Sequence, residues 1–182
     1  MIFLKKFKNI KNIRFKSFEK TLNLSFERNL KTIVETGTAR GKIKFFFIKR
    51  YNWKDGMSTP MFAEYCKFIN GKLYSCDISS KNIKIAKNFT RNFVEYIDFY
   101  IQDSLVFLKE FDKPIDLLYL DSLDGHDVVS ASEHQLKEAQ IAIKKLHQKS
   151  LVLLDDKGTK TNLSIDFFKN NNFKIIYETN HQ

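Results

Sequence analysis

Residues 32–41 read TIVETGTARG. Thr32, Ile33 and Val34 form a β-branched run that ends at Glu35, and Gly37 and Gly41 follow closely. A short run that is apolar on both faces suits a strand covered by helices on each side. Glycines directly behind such a strand let the backbone turn tightly and approach a ligand. The stretch therefore predicts a strand running into a glycine turn at the mouth of an α/β sheet.

The same pattern repeats outward along the chain. Residues 73–76 (LYSC), 98–102 (DFYIQ), 115–120 (IDLLYL), 151–154 (LVLL) and 173–177 (FKIIY) are further strand candidates. Helical patterning falls between them, over 60–70, 80–92, 104–110, 131–147 and 163–170. Thr59 ahead of Pro60 reads as an N-cap, and Asn70-Gly71 as a helix stop. Leu136, Ala139, Ile143 and Leu146 fall on one helical stripe. Alternating elements predict an α/β fold: a Rossmann-like, doubly wound, mostly parallel sheet of about six strands with flanking helices, in a single domain.

That domain spans 32–182. Residues 1–31 form a separate basic helical segment, with nine Lys/Arg against two Glu, a net +7 of the chain's +10. Its interleaved Phe and Ile allow two readings. It is an amphipathic helix that packs on the domain, or a contact for an anionic surface. The chain of 182 residues, 43% hydrophobic and 29% charged, excludes collagen, coiled coil and a wholly disordered chain. No apolar run reaches the roughly 20 residues of a membrane span, and the start lacks the pattern of a signal peptide. Cys66 and Cys76 have no metal-ligand spacing, so they read as reduced thiols of a cytoplasmic protein. No nucleic-acid-binding motif is present.

In such a sheet, ligands bind outside the carboxyl ends of the strands. Five predicted strands end in or run into an acid: Glu35, Asp77, Asp103, Asp121 and the pair Asp155-Asp156. Acids at strand ends also cap the following helices, but capping alone explains five in register poorly. Asp77 stands where a carboxylate accepts from ribose hydroxyls. Gln102-Asp103-Ser104 is placed to recognise an adenine amino group. The set describes an adenosine-bearing ligand without a phosphate cradle. A P-loop is absent, and so is the Gly-x-Gly-x-x-Gly turn with an acid about 20 residues on that an NAD-dependent oxidoreductase requires.

VETGTARG, LYSCDIS, IQDS, IDLLYLDS and LVLLDD together resemble the motifs of class I S-adenosylmethionine-dependent methyltransferases. The resemblance covers roughly residues 32–177. It is strongest to small metal-dependent O-methyltransferase-like proteins, through the DGMST segment (Asp55–Thr59), the LDS…DGH segment and the DD pair. It implies that Glu35, Thr36, Gly37, Thr38, Gly41 and Ser58 lie around the methionine end of the cofactor. Asp77 and Ile78 would hold the ribose, Asp103 and Ser104 the adenine, and Asp121 the reacting end. It also implies a Mg²⁺ ion on Asp121, Asp155 and Asp156. Apart from the resemblance, His126 is the one histidine in a strand-end loop, placed either as a general base for a hydroxyl or as a surface residue without a role. The acceptor would be a hydroxyl of a small molecule or glycan, with nucleic acid less favoured because no Asn/Asp-Pro-Pro-Tyr/Phe motif follows the fourth strand. The oligomeric state is left open.

Several positions depart from the pattern. Residues 42–54 (KIKFFFIKRYNWK) are inserted after the first turn, as a lid or as a helix with its aromatics inward. The lysine that catechol-type enzymes carry three residues after the fourth-strand Asp is here Asp124. His147-Gln-Lys-Ser150 replaces a Pro-Gly turn, and the sheet ends at the sixth strand. His134 reads as a helix-face residue, and His147 and His181 as surface residues. The alternative function is a catalytically silent adaptor that keeps the fold and binds anionic partners.

Overall fold

The computed structural model describes residues 1–40, 42–45, 48–55, 57–123 and 127–182, the side chains of 42–45, 48–51 and 55 aside. Gly41 and His126 lie outside the described residues.

Strand β1 (Thr32–Thr36) is the centre of a five-stranded sheet. A hairpin of β2 (Lys42–Phe45) and β3 (Ile48–Tyr51) follows, then helix α2 (Ser58–Ile69) and β4 (Lys72–Asp77). The chain continues through α3 (Ser80–Phe89), β5 (Ile97–Ile101), α4 (Ser104–Glu110) and β6 (Ile115–Leu120). It closes with α5 (Val128–Ala142), β7 (Leu146–Leu154) and α6 (Asn162–Asn170). All pairings in the large sheet are parallel, in the order β5-β4-β1-β6-β7. The chain winds from β1 to β5 on one side and then returns to β6 on the other. The strand order thus switches beside β1, and this is where a doubly wound sheet opens a crevice.

Each face of the sheet carries its own core. Ile33, Leu73, Leu117 and Leu153 point to the face covered by α2 and the N-terminal segment. Val34, Cys76, Leu118 and Leu120 point to the face covered by α4, α5 and α6. This alternation is the period-two rule of a strand buried on both sides.

The N-terminal segment packs on the first core. It contains a 3-10 helix (Ile2–Phe7) and α1 (Phe15–Glu27), and it buries Leu4, Phe7, Phe15, Phe18 and Leu22. The Phe18 ring stands edge-on to Phe62 at 5.6 Å and to Tyr119 at 5.5 Å. Each buried side chain of this size contributes about 2 kcal/mol. The segment thus packs an apolar face on the domain, while its lysines, together with Ile2, Ile10 and Phe26, remain exposed.

Some expectations need correction. Residues 173–177 join no strand, so the sheet has five strands. The tail is held by its ends instead: Phe173 packs on Phe168 at 5.2 Å, and Lys157 N–H donates to the His181 carbonyl at 2.9 Å. Between the tail and β7 lies a groove of about 720 Å³ lined by Leu151, Leu153, Ile175 and Tyr177. The insertion forms a hairpin, not a helix, since a strand can be satisfied by one partner strand. Helix α5 stops at Ala142, and β7 begins at Leu146. Residues 147–150 form an irregularity within β7, where Ser150 Oγ donates to the Ile115 carbonyl at 2.6 Å and His147 Nε2 meets Asp116 at 2.7 Å. Met57, at φ +58°, caps α2 in place of Thr59, whose hydroxyl is committed elsewhere. The Asn70 stop is as expected, at φ +53°. Cys66 and Cys76 are buried and unpaired, and burial pushes the Cys76 thiol up to about 12. Among the described residues, no helix is long and apolar enough to cross a membrane.

Candidate active site

The turn after β1 is set by backbone contact. Gly37 lies at φ +84°, and a Cβ there would stand 2.1 Å from the Asp121 carbonyl oxygen. No side chain fits that position. Gly37 N–H donates to the Cys76 carbonyl at 2.8 Å, and Asp121 N–H to the Thr36 carbonyl at 2.9 Å. The ends of β4, β1 and β6 are therefore locked side by side, and their acids share one rim.

Glu35 is fully buried beneath this turn. Its carboxylate accepts from Ser58 Oγ at 2.5 Å, Thr59 Oγ1 at 2.8 Å and Ser75 Oγ at 2.5 Å. Thr59 Oγ1 in turn accepts from the Ala39 N–H at 2.8 Å. Burial pushes Glu35 up to about 7, with the three hydroxyls opposing. In this arrangement Glu35 and Ser58 fix the turn to the start of α2 from below, and both are closed to solvent.

Asp77 sits at the lip. Thr38 donates to its Oδ2 through N–H at 3.1 Å and through Oγ1 at 2.9 Å, while Ser79 N–H donates to Oδ1 at 2.8 Å. Asn82 Nδ2 reaches both oxygens. Beside it Ile78 is 74% exposed, an apolar surface placed next to polar groups. Asp103 caps α4, accepting from Leu105 N–H at 2.9 Å and Val106 N–H at 3.2 Å. Ser104 Oγ lies 2.9 Å from His134 Nε2. Under these residues Glu138, from α5, is buried. Burial raises its carboxyl, and Ser104, His134, Ser122 and Thr36 work against that rise. Sequence reading missed Glu138, and no local pattern marks it.

On the other side of β1, Asp121, Asp155 and Asp156 converge as expected, with carboxylate oxygens within 4.8 Å of one another. Every one of those oxygens already has a donor. Arg14 Nε donates to both oxygens of Asp155, at 2.6 and 2.9 Å, and Arg14 Nη2 to Asp156 Oδ1 at 2.6 Å. Lys160 Nζ lies 3.0 Å from Asp156 Oδ2 and 2.7 Å from Asp121 Oδ1. Tyr119 OH donates to Asp121 Oδ2 at 3.2 Å. The Lys160 side chain is only 2% exposed. Burial works against its charge, but Asp121 and Asp156 outweigh that and hold its pKa above the ordinary lysine value. Burial likewise opposes ionisation of Asp156, and Lys160 with Arg14 outweighs it, so the carboxyl is held low. Arg14 Nη1 also donates to the Lys54 carbonyl at 2.7 Å, which ties the N-terminal segment to the base of the hairpin.

Three carboxylates suit a hard divalent ion. These three do not fit one as they stand, because Arg14 and Lys160 hold the oxygens that would coordinate it. A divalent ion about 4 Å from either cation would meet a repulsion of about 8 kcal/mol at an effective dielectric constant of about 20. Arg14, Lys160 and Tyr119 were not legible as site residues. Lys160 left the only local signal, four residues after Asp156, where one helical turn brings side chains together.

The sequence profile of a methyltransferase domain family matches residues 34–157, the span that holds all the strand-end acids. No curated protein matches the chain in sequence. Among solved structures, an SAH-bound methyltransferase from Podospora anserina superposes with a TM-score of 0.57 at 13% identity, over 76% of this chain and 51% of that one. A candidate O-methyltransferase from Klebsiella pneumoniae gives 0.54 at 15%, over 76% and 55%. An rRNA methylase from Streptococcus thermophilus gives 0.59 at 10%, over 89% and 81%. The chain thus spans about half the length of the first two. At such identities the likeness is one of fold, and the sequence match carries the rest. With the acids, the glycine turn and the strand order in agreement, the chain belongs to the methyltransferase domain family of the class I S-adenosylmethionine-dependent methyltransferases.

Proposed function

We propose that this chain transfers the methyl group of S-adenosylmethionine to a hydroxyl oxygen of a small molecule or a glycan. The observation that carries the reading is the rim at the ends of β1, β4 and β5. There the Gly37 turn, the Asp77 carboxylate, exposed Ile78 and Asp103 with Ser104 stand together. Ribose hydroxyls would take the places of Thr38 Oγ1 and Asn82 Nδ2 on Asp77. Ile78 would cover the adenine face, and Asp103 would accept from the adenine amino group. Thr36, Gly37, Thr38 and Gly41 would line the methionine end.

The cofactor supplies an electrophilic methyl group on a positively charged sulfur. The protein's share is to hold the acceptor oxygen in line with that methyl and to take its proton. Asp121 is assigned to the acceptor, held by Lys160 and Tyr119, and His126 is the further candidate base. Oxygen is favoured over nitrogen because Asp121-Ser122-Leu123 follows β6 where amino-methylating enzymes of nucleic acids carry a Pro-Pro motif. Reduced, buried Cys66 and Cys76 go with a cytoplasmic location. A catalytically silent domain is the second reading. It is favoured by the full hydrogen bonding of Asp121, Asp155 and Asp156, which leaves no oxygen idle for a substrate proton.

Calorimetric titration with S-adenosylmethionine and S-adenosylhomocysteine, with NADH as control, tests the cofactor. Micromolar binding of both adenosyl ligands that is lost in Asp77→Ala is expected. No binding by a folded protein would sink the proposal. Transfer of labelled methyl to hydroxyl acceptors separates the enzyme from the silent domain, and label in RNA would move the acceptor class.

A further inference from the structure

We propose that Arg14 and Lys160 occupy the place of a divalent ion among Asp121, Asp155 and Asp156, so that the site runs on cations fixed in the chain and needs no metal. This goes beyond methyl transfer and does not rest on it, since it concerns only which cation the carboxylates hold.

Four observations carry it. The six carboxylate oxygens that would ligate an ion accept instead from Arg14, Lys160 and Tyr119. The two cations come from opposite ends of the chain. Arg14 lies just ahead of α1, and Lys160 lies in the turn after β7. Both are held in place: the Arg14 side chain is 13% exposed and also bound to the Lys54 carbonyl, and the Lys160 side chain is buried. Asp156 adopts φ +57°, a backbone conformation that a non-glycine residue takes up at a cost. There it accepts from Arg14 on one oxygen and faces Lys160 on the other. A guanidinium fork and an ammonium point supply, at fixed positions, the positive field that a mobile ion would bring. Residues 1–31 are then part of the site through Arg14.

The test uses the full chain, purified with chelator and dialysed, and titrates Mn²⁺ alone with no adenosyl ligand present. Mn²⁺ binding is read by its paramagnetic signal and by the melting temperature. For the unaltered protein we expect no stoichiometric binding and a melting temperature indifferent to Mn²⁺, Mg²⁺ or chelator. In Lys160→Met, and in the Arg14→Gln, Lys160→Met double variant, the freed carboxylates should gain a one-to-one Mn²⁺ site and a metal-dependent rise in melting temperature. Arg14→Gln alone serves if Lys160→Met does not fold. Stoichiometric Mn²⁺ binding by the unaltered chain that is abolished in Asp155→Asn would overturn the proposal. So would folded variants that gain no affinity for the ion, because the cations would then not be holding its place. The Mn²⁺ titration of the unaltered, chelator-treated chain decides even if no variant folds. Loss of adenosyl-ligand binding in the separate calorimetric test would count against the methyltransferase reading alone.

Discussion

The two halves of the crevice solve the same problem in different ways. Left of the Gly37 turn, Glu35, Asp77 and Asp103 are satisfied by neutral donors: serine and threonine hydroxyls, an asparagine amide and backbone N–H groups. Right of it, Asp121, Asp155 and Asp156 are satisfied mainly by two full positive charges. Neutral donors can be exchanged for ligand hydroxyls at little electrostatic cost, since one hydrogen bond replaces another. A buried ion pair cannot, because removing one partner strands the other. Around Asp77 and Asp103 the left half is thus suited to a ligand that comes and goes, while Glu35 stays closed to solvent beneath it and the right half suits a permanent field.

The sharpest way to break this comparison is Lys160→Met. It leaves Asp121 and Asp156 facing each other without their shared ammonium, and a loss of about 3–5 kcal/mol is expected in urea unfolding. A loss below about 1 kcal/mol would make the pair no different from a surface salt bridge. Next in size is the pH dependence set by Glu35. Its folded carboxyl titrates at about 7 against an ordinary 4.5, so the folded state keeps a proton that the unfolded chain releases. Stability should fall as pH rises from about 4.5 to about 7, by up to about 3 kcal/mol from this group. Glu35→Gln should flatten that part of the profile, and parallel profiles for the two proteins would refute the assignment. The smallest effect is Asp103→Ala, which removes the cap of α4 at a cost of about 1 kcal/mol. Thermal melting reads it, and a larger loss would mean that Asp103 is bound to more than two N–H groups.

What the sequence disclosed follows the same division. The central strands were legible because a strand buried on both faces must be apolar throughout, whatever its partners. The acids were legible because strand ends place them. The edge of the sheet was not: FKIIY has the composition of a strand, yet pairing depends on a neighbouring edge that the tail, held by Phe168 and by Lys157, does not reach. Glu35 was visible as an acid but not as the buried acceptor of three hydroxyls from two other elements. The cations of the right half escaped for a related reason. Arg14 is one of nine basic residues in its segment, and only the folded chain distinguishes it from the rest.

Arg14 and Asp155 are 141 residues apart in sequence, and this separation sets an order of events on the ribosome. At translation rates of about 5–20 residues per second, the arginine emerges roughly 7–30 s before its carboxylate exists. Phe18 waits less long for Tyr119, which follows 101 residues later, or roughly 5–20 s at the same rates. A nascent chain can form β1 to β6 and yet have no finished crevice. The Arg14 pairs can therefore close only once residues 155 and 156 have been made, and a chain stopped before them would hold Arg14 and Asp121 without the other two acids or Lys160.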